Sequence, residues 1–144
     1  MPTAQSILDR KGSEVTTVTT KASVLDAARR MNERHIGALV VTSGDKVVGI
    51  FTERDILNRI VAAGRKPEDT RVEEVMTSPM ACCRRDTRLA ECKTIMTKKR
   101  IRHLPVVEDD RLYGMISSGD ILAGESEDQQ ATIEYLNEYL YGHR

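Results

Sequence analysis

Apolar positions along the chain follow one order of periods, and they follow it twice. From Ser23 to Arg34 the apolar residues Val24, Ala27, Ala28 and Met31 share one helical face. Ile36 to Val41 is a continuous apolar run of strand length, Ser43-Gly44-Asp45 is a turn, and Lys46 to Phe51 returns as the second arm of a hairpin. A short β-branched run, Val15 to Val18, precedes the first helix, and Ser23 stands three residues before Asp26, the spacing of a capping box with the shorter acid. Thr52 ends the hairpin. Ile56 to Ala63 is the second helix, stopped by Gly64 and Pro67.

The second half repeats this order. Ala81 to Arg84 is its first strand and Leu89 to Lys99 its helix. Ile101 to Val107 and Leu112 to Ile116 form its hairpin, turning at Glu108-Asp109-Asp110, and Gly119-Asp120 leads into a short last helix. At a fixed offset of 65 residues, nine positions between Met31 and Leu57 are identical to their counterparts, among them Gly49/Gly114, Asp55/Asp120 and Leu57/Leu122. A repeat of this length outranks any local motif as a clue to architecture. Ala4 to Leu8 and Val72 to Met76 are similar preambles. The pattern predicts an α/β (α+β) fold of two tandem βαββα units. Residues 1–64 form the first with its preamble, 65–71 a linker, 72–124 the second, and 125–144 a helical tail. Within the tail, Gly124 to Gln130 reads as a polar loop or helix entry. Ala131 to Tyr141 reads as an amphipathic helix, with Ile133, Leu136 and Leu140 on one face and Tyr135 and Tyr139 beside them. It serves either as a packing helix within a dimer or as a tail that recruits another protein.

Composition narrows the function classes. Lys+Arg and Asp+Glu both number 22, so the formal charge is zero, which argues against a general nucleic-acid or anionic-membrane binder. No apolar run is long enough to span a bilayer, and the N-terminus lacks the order of a signal peptide, so the expected location is the cytoplasm. The three cysteines, Cys82, Cys83 and Cys92, form no C-x-x-C pair and are expected as free thiols, with no metal. Strand alternation points Cys82 and Cys83 to opposite faces. With no Trp and one Phe, the core must be aliphatic.

Each hairpin ends on a glycine and two apolar residues, followed by Thr or Ser, two variable residues and Asp: Gly49-Ile50-Phe51-Thr52-Glu53-Arg54-Asp55 and Gly114-Met115-Ile116-Ser117-Ser118-Gly119-Asp120. With these motifs at this spacing, and with Ile101-Arg102-His103-Leu104-Pro105-Val106-Val107 before the second, residues 4–124 resemble a pair of CBS domains, also called a Bateman module. The resemblance implies two βαββα units packed about a pseudo-twofold axis around two clefts, with two chains completing a flat disc. It also implies an adenosine-containing ligand: AMP, ADP, ATP, NAD(H) or S-adenosylmethionine.

Elementary chemistry agrees. A carboxylate at a helix N-terminus can accept both hydroxyls of a ribose in charge-assisted hydrogen bonds, which fits Asp55 and Asp120. The hydroxyls of Thr52 and Ser117, with nearby N–H groups, can meet a phosphate oxygen. The same residue types also cap helices, and the two roles can coexist. In the resemblance, a basic residue ahead of the second strand holds phosphate. Arg102-His103 fills that place in the second repeat, while Gly37-Ala38 leaves it uncharged in the first. The Asp120 cleft is thus the better equipped, and the resemblance implies adenine near Thr16, Thr17, Ile36 and Gly37 of the other repeat. The Asp55 cleft would use Ala81, Cys82 and Ile101, with Arg54 supplying charge.

The leading expectation is therefore a non-catalytic sensor of adenine nucleotide, homodimeric, that signals to a separate, unidentified protein. Alternatives are a module for S-adenosylmethionine and a nucleic-acid binder through Lys98, Lys99, Arg100 and Arg102, which lacks aromatic platforms. Catalysis would need Cys82 or Cys92 with His103. The element pattern is expected to bury both thiols, and no G-x-x-x-x-G-K-[ST] or G-x-G-x-x-G loop is present.

Overall fold

The computed structural model describes residues 2–141. Helix α1 (Ala4–Lys11) leads to strand β1 (Thr17–Thr19), helix α2 (Val24–Arg34) and the hairpin β2 (Ala38–Ser43) and β3 (Lys46–Thr52). β1 runs parallel to β2, and β2 antiparallel to β3, giving a sheet of order β1-β2-β3. A short helix α3 (Glu53–Asp55) follows without a gap and continues as a π-helical segment, Ile56–Val61. The helix thus starts three residues earlier than the apolar period indicates, because Thr52 at the strand end is already its N-cap. A 3-10 turn (Pro67–Asp69) leads to α4 (Val72–Val75).

The second half holds α5 (Leu89–Lys99), the hairpin β4 (His103–Glu108) and β5 (Arg111–Ser117), and α6 (Ser118–Tyr141). Its equivalences to the first half reach backbone detail. Register shifts fall at Val41/Thr42 and at Val106/Val107, 65 residues apart. Each long helix ends on a left-handed residue without being glycine, His35 at φ 54° and Arg100 at φ 55°. Asp109 and Asp110 both take positive φ, 51° and 62°, as a tight hairpin turn requires.

Two expectations need correction. Ala81 to Arg84 is not a regular strand. Cys83 alone bridges Val106, in parallel, at the position equivalent to Val18 on Val41. The chain then curls away, with the Arg84 N–H donating to Thr87 Oγ1 and the Thr87 N–H to the Arg84 carbonyl. Nor is there a loop at Gly124 to Gln130. α6 runs unbroken from Ser118 to Tyr141, with Gly124 buried against Leu89 of α5 and Glu125 paired to Lys93 at 2.8 Å. Ile133 and Leu136 on this helix are exposed; the side chains of Tyr135, Tyr139 and Leu140 lie outside the described ones.

The two cores are interlocked by exchanged preambles. Ala4, Ile7 and Leu8 of α1 lie in the second repeat's core with Cys83, Leu89, Cys92, Met96, Leu104, Val106, Ile116 and Ile121. Val72 and Val75 of α4 lie in the first repeat's core with Val18, Val24, Ala27, Met31, Leu39, Val41, Phe51 and Ile60. Matching backbone bonds fasten each. Ala4 N–H donates to the Thr87 carbonyl and Leu89 N–H to the Pro2 carbonyl; Val72 N–H donates to the Ala22 carbonyl and Val24 N–H to the Thr70 carbonyl. The repeated glycines make room for the exchange. A Cβ on Gly114 would lie 2.4 Å from Leu8, and one on Gly49 would lie 2.8 Å from the Thr77 carbonyl oxygen.

Candidate functional site

Each Thr/Ser-x-x-Asp motif closes on itself. Thr52 N–H donates to Asp55 Oδ2 at 3.0 Å, and Asp55 N–H donates back to Thr52 Oγ1 at 3.3 Å. Ser117 N–H donates to Asp120 Oδ2 at 2.8 Å, and Asp120 N–H to Ser117 Oγ at 3.1 Å. Capping is therefore a real role of both motifs, and it fixes each carboxylate where strand gives way to helix.

Beyond the cap, the two aspartates differ. The second oxygen of Asp55 accepts from the Thr77 hydroxyl at 3.1 Å, and Arg59 Nε stands 3.8 Å from it. Arg59 in turn donates to the Val75 and Met76 carbonyls, so it is anchored. Asp55 is left 8 % exposed, against 21 % for Asp120. Asp120 instead faces Lys11, whose Nζ donates to Oδ2 at 2.7 Å and to the Met115 carbonyl at 2.9 Å. Partial burial alone would raise the Asp120 carboxyl. The Lys11 ammonium and the Ser117 donors outweigh it and hold the group below the usual aspartate value.

His103 lies opposite Ser117 in the β4–β5 register, half-buried. Burial pushes its imidazole down, as do Lys11 and Arg102, against Glu53 and Asp120, which pull it up. It is therefore neutral at neutral pH, and the positive charge on Asp120 belongs to Lys11, while the exposed Arg102 lies near His103. Glu53 reaches this region from the first repeat. Its N–H donates to the Gly37 carbonyl, and its carboxylate packs over the Gly37 Cα. Asp120, Ser117, His103, Lys11, Glu53 and Gly37 thus form a connected set across the two repeats.

The described surface holds two open hollows, one of which shares Gly37 and Glu53 with this set. One, of about 430 Å³, is lined by Glu14, Val15, Thr16, Thr17, Arg30 and Arg34. The other, of about 440 Å³, is lined by Ala28, Met31, Asn32, His35, Ile36, Gly37, Glu53 and Ile56. The residues expected near adenine are thus split between two surfaces, Thr16 and Thr17 on one, Ile36 and Gly37 on the other. Neither hollow is lined by an aspartate of the repeated motif.

In the first repeat's motif, Arg54 does cross to the second repeat, where it donates to the Arg100 carbonyl at 2.6 Å. It ties the halves together at the left-handed end of α5. Ala81 and Ile101 are half-buried and pack on the second core. Cys82 is exposed, contrary to the expected burial, because the single bridge at Cys83 turns that neighbour inward and Cys82 outward. Cys92 is buried as expected. Among the described residues, no group of three His, Cys, Asp or Glu is placed to hold a metal ion. No helix among them is long and apolar enough to cross a membrane.

Lys11, Thr77, Arg59 and Glu53 were not singled out from the sequence. Lys11 stands 109 residues from its partner, and only the preamble exchange brings it there. Glu53 and Arg59 flank Asp55 closely enough to have been considered.

Comparison with known proteins gives a consistent outcome. The CBS domain family matches residues 8–62 and 72–127. The CBS domain-containing protein CBSX3, mitochondrial, of Arabidopsis thaliana is 35% identical over 129 residues, 86% of this chain and 63% of that protein. This chain therefore spans less than two thirds of that relative. A putative signal-transduction protein with CBS domains from Burkholderia ambifaria shares 41% identity at a TM-score of 0.83, covering 88% of this chain and 96% of that one. A hexameric CBS-CP12 protein from bloom-forming cyanobacteria shares 26% identity at a TM-score of 0.73, covering 97% and 89%. Repeat, fold and likeness agree: the chain belongs to the CBS-domain family, as a tandem pair of the regulatory type.

Proposed function

We propose that this CBS pair is a non-catalytic sensor of an adenosine-containing nucleotide, AMP, ADP, ATP or NAD(H), bound at Asp120 and read by a separate protein. The observation that carries the reading is the contrast between the two motif aspartates. Asp55 is buried and its acceptors are engaged by Thr52, Thr77 and Arg59. Asp120 is the more open, and on it stands the partly exposed cation Lys11, with the exposed Arg102 near His103. A ribose needs such an acceptor and a phosphate needs such cations, and each contact holds the ligand in register for the other. Calorimetry of the purified protein with AMP, ADP, ATP and NADH tests it. Heat from at least one at micromolar concentration is expected, and no heat from any of them overturns it.

A second reading, S-adenosylmethionine, rests on Glu53. A sulfonium favours an acidic wall, and the Glu53 carboxylate lies over Gly37 in the same region. Including that compound in the titration separates the two. Binding of S-adenosylmethionine without any phosphate-bearing ligand would favour Glu53 over Lys11 as the recognising charge.

The functional form is a homodimer in this proposal. Leu57 and Leu122 hold equivalent places in the two repeats and are 60% and 63% exposed, with Val61 beside Leu57 at 65%. Pseudo-symmetric apolar faces suit a second copy of the same chain, since monomers rarely leave such faces wet.

A further inference from the structure

Lys11 is the last residue of α1, a helix whose Ala4, Ile7 and Leu8 are sunk in the second repeat's core. The helix therefore holds the lysine's Cα firmly, while the side chain remains 35% exposed. Its ammonium makes two hydrogen bonds, to Asp120 Oδ2 and to the Met115 carbonyl. The first of these shares Oδ2 with the capping Ser117 N–H, on the carboxylate that a ribose would need. No cation within hydrogen-bond distance stands on Asp55, where the Thr77 hydroxyl takes Oδ1 and the capping N–H of Thr52 takes Oδ2.

We propose that Lys11 is the specificity-determining residue of the Asp120 cleft: it holds Asp120 while the cleft is empty and turns to the phosphate when ribose hydroxyls take the carboxylate. The inference rests on the nucleotide reading above and adds which ligands that reading admits. A neutral nucleoside that displaces the ion pair leaves an ammonium without its counter-charge. A nucleoside phosphate replaces the carboxylate with another anion, so the lysine exchanges one partner for another. Lysine suits the exchange because its charge is a point on a four-carbon stem, with no fixed fork to realign. His103 does not substitute for it at neutral pH, since burial keeps that imidazole uncharged. Arg102 is exposed just before β4, and among the described residues the hydrogen bonds and ion pair on Asp120 come from Lys11 and Ser117. The choice therefore falls between nucleosides with and without phosphate, and Lys11 makes it.

The test is calorimetry of wild type, Lys11→Met and Lys11→Arg with AMP and with adenosine, each variant first checked for an unchanged thermal transition. Lys11→Met should weaken AMP by about tenfold or more, the size of a lost charge-assisted contact, while adenosine binds as before or more tightly. Lys11→Arg should keep most of the AMP affinity. Equal losses for AMP and adenosine, or AMP affinity within about threefold of wild type, overturn the assignment of Lys11 and leave the nucleotide reading standing. A wild-type protein that binds neither compound overturns both.

Discussion

Asp55 and Asp120 occupy equivalent places and do different work. Asp55 accepts from the Thr52 N–H and the Thr77 hydroxyl while nearly buried, so Asp55→Ala removes a cap and leaves a part-buried donor without its acceptor. That should cost about 1–3 kcal/mol, read as a lower denaturation midpoint. Asp120→Ala removes a more open cap, and its stability loss should be the smaller of the two. His103 adds a pH signature. Its folded pKa lies below the unfolded value of about 6.5, because burial opposes the charge. On acidification the unfolded chain takes the proton first, so the stability His103 contributes is complete above about pH 6.5 and lost below it. Asp120 is also depressed, but from the aspartate value, so its contribution is lost only below about pH 4. Thermal melts should therefore fall between pH 7.5 and 5.5 in wild type and flatten in His103→Gln. The same slope in both proteins would remove His103 as the cause. The motif aspartates were legible in the sequence because each repeats with its Thr or Ser at fixed spacing. Lys11 was not, since nothing local distinguishes it from any lysine that ends a helix.

The elements show why α1 matters more than its eight residues suggest. Its Ala4, Ile7 and Leu8 complete the second repeat's core, and its N-terminus is sewn to the loop before α5. A chain beginning at Gly12 should lose the second repeat's cooperative unfolding while α4 still covers the first. Hydrogen exchange would show protection lost in β4, β5 and α5 and kept in β2 and β3. Uniform protection would mean that α1 only decorates the surface. The helices and hairpins were readable from periodicity, since their faces are buried and the period is set by burial. The exchange of preambles was not readable, because either core would accept either apolar helix. The second repeat's first strand was overcalled for the opposite reason. Ala81-Cys82-Cys83 has strand composition, but the turn at Arg84–Thr87 leaves room for one bridge only.

At the scale of the whole molecule, the exchanged preambles, the Arg54 link to Arg100 and the Val47 to Asp110 backbone bond tie the repeats at several points. Leu57, Val61 and Leu122 are large apolar side chains left exposed. If these seat a second copy, light scattering should give twice the 16.1 kDa chain mass. Leu57→Glu with Leu122→Glu should give the single chain. A wild-type mass of one chain would remove the dimer from the account. The central claim is that one cleft, built on Asp120, binds the nucleotide. It is tested most directly by titrating AMP into wild type, Asp120→Ala and Asp55→Ala in parallel. The account predicts one site per chain in wild type, loss of about tenfold or more in affinity for Asp120→Ala, and near-wild-type affinity in folded Asp55→Ala. Retained binding in Asp120→Ala with loss in Asp55→Ala would contradict it.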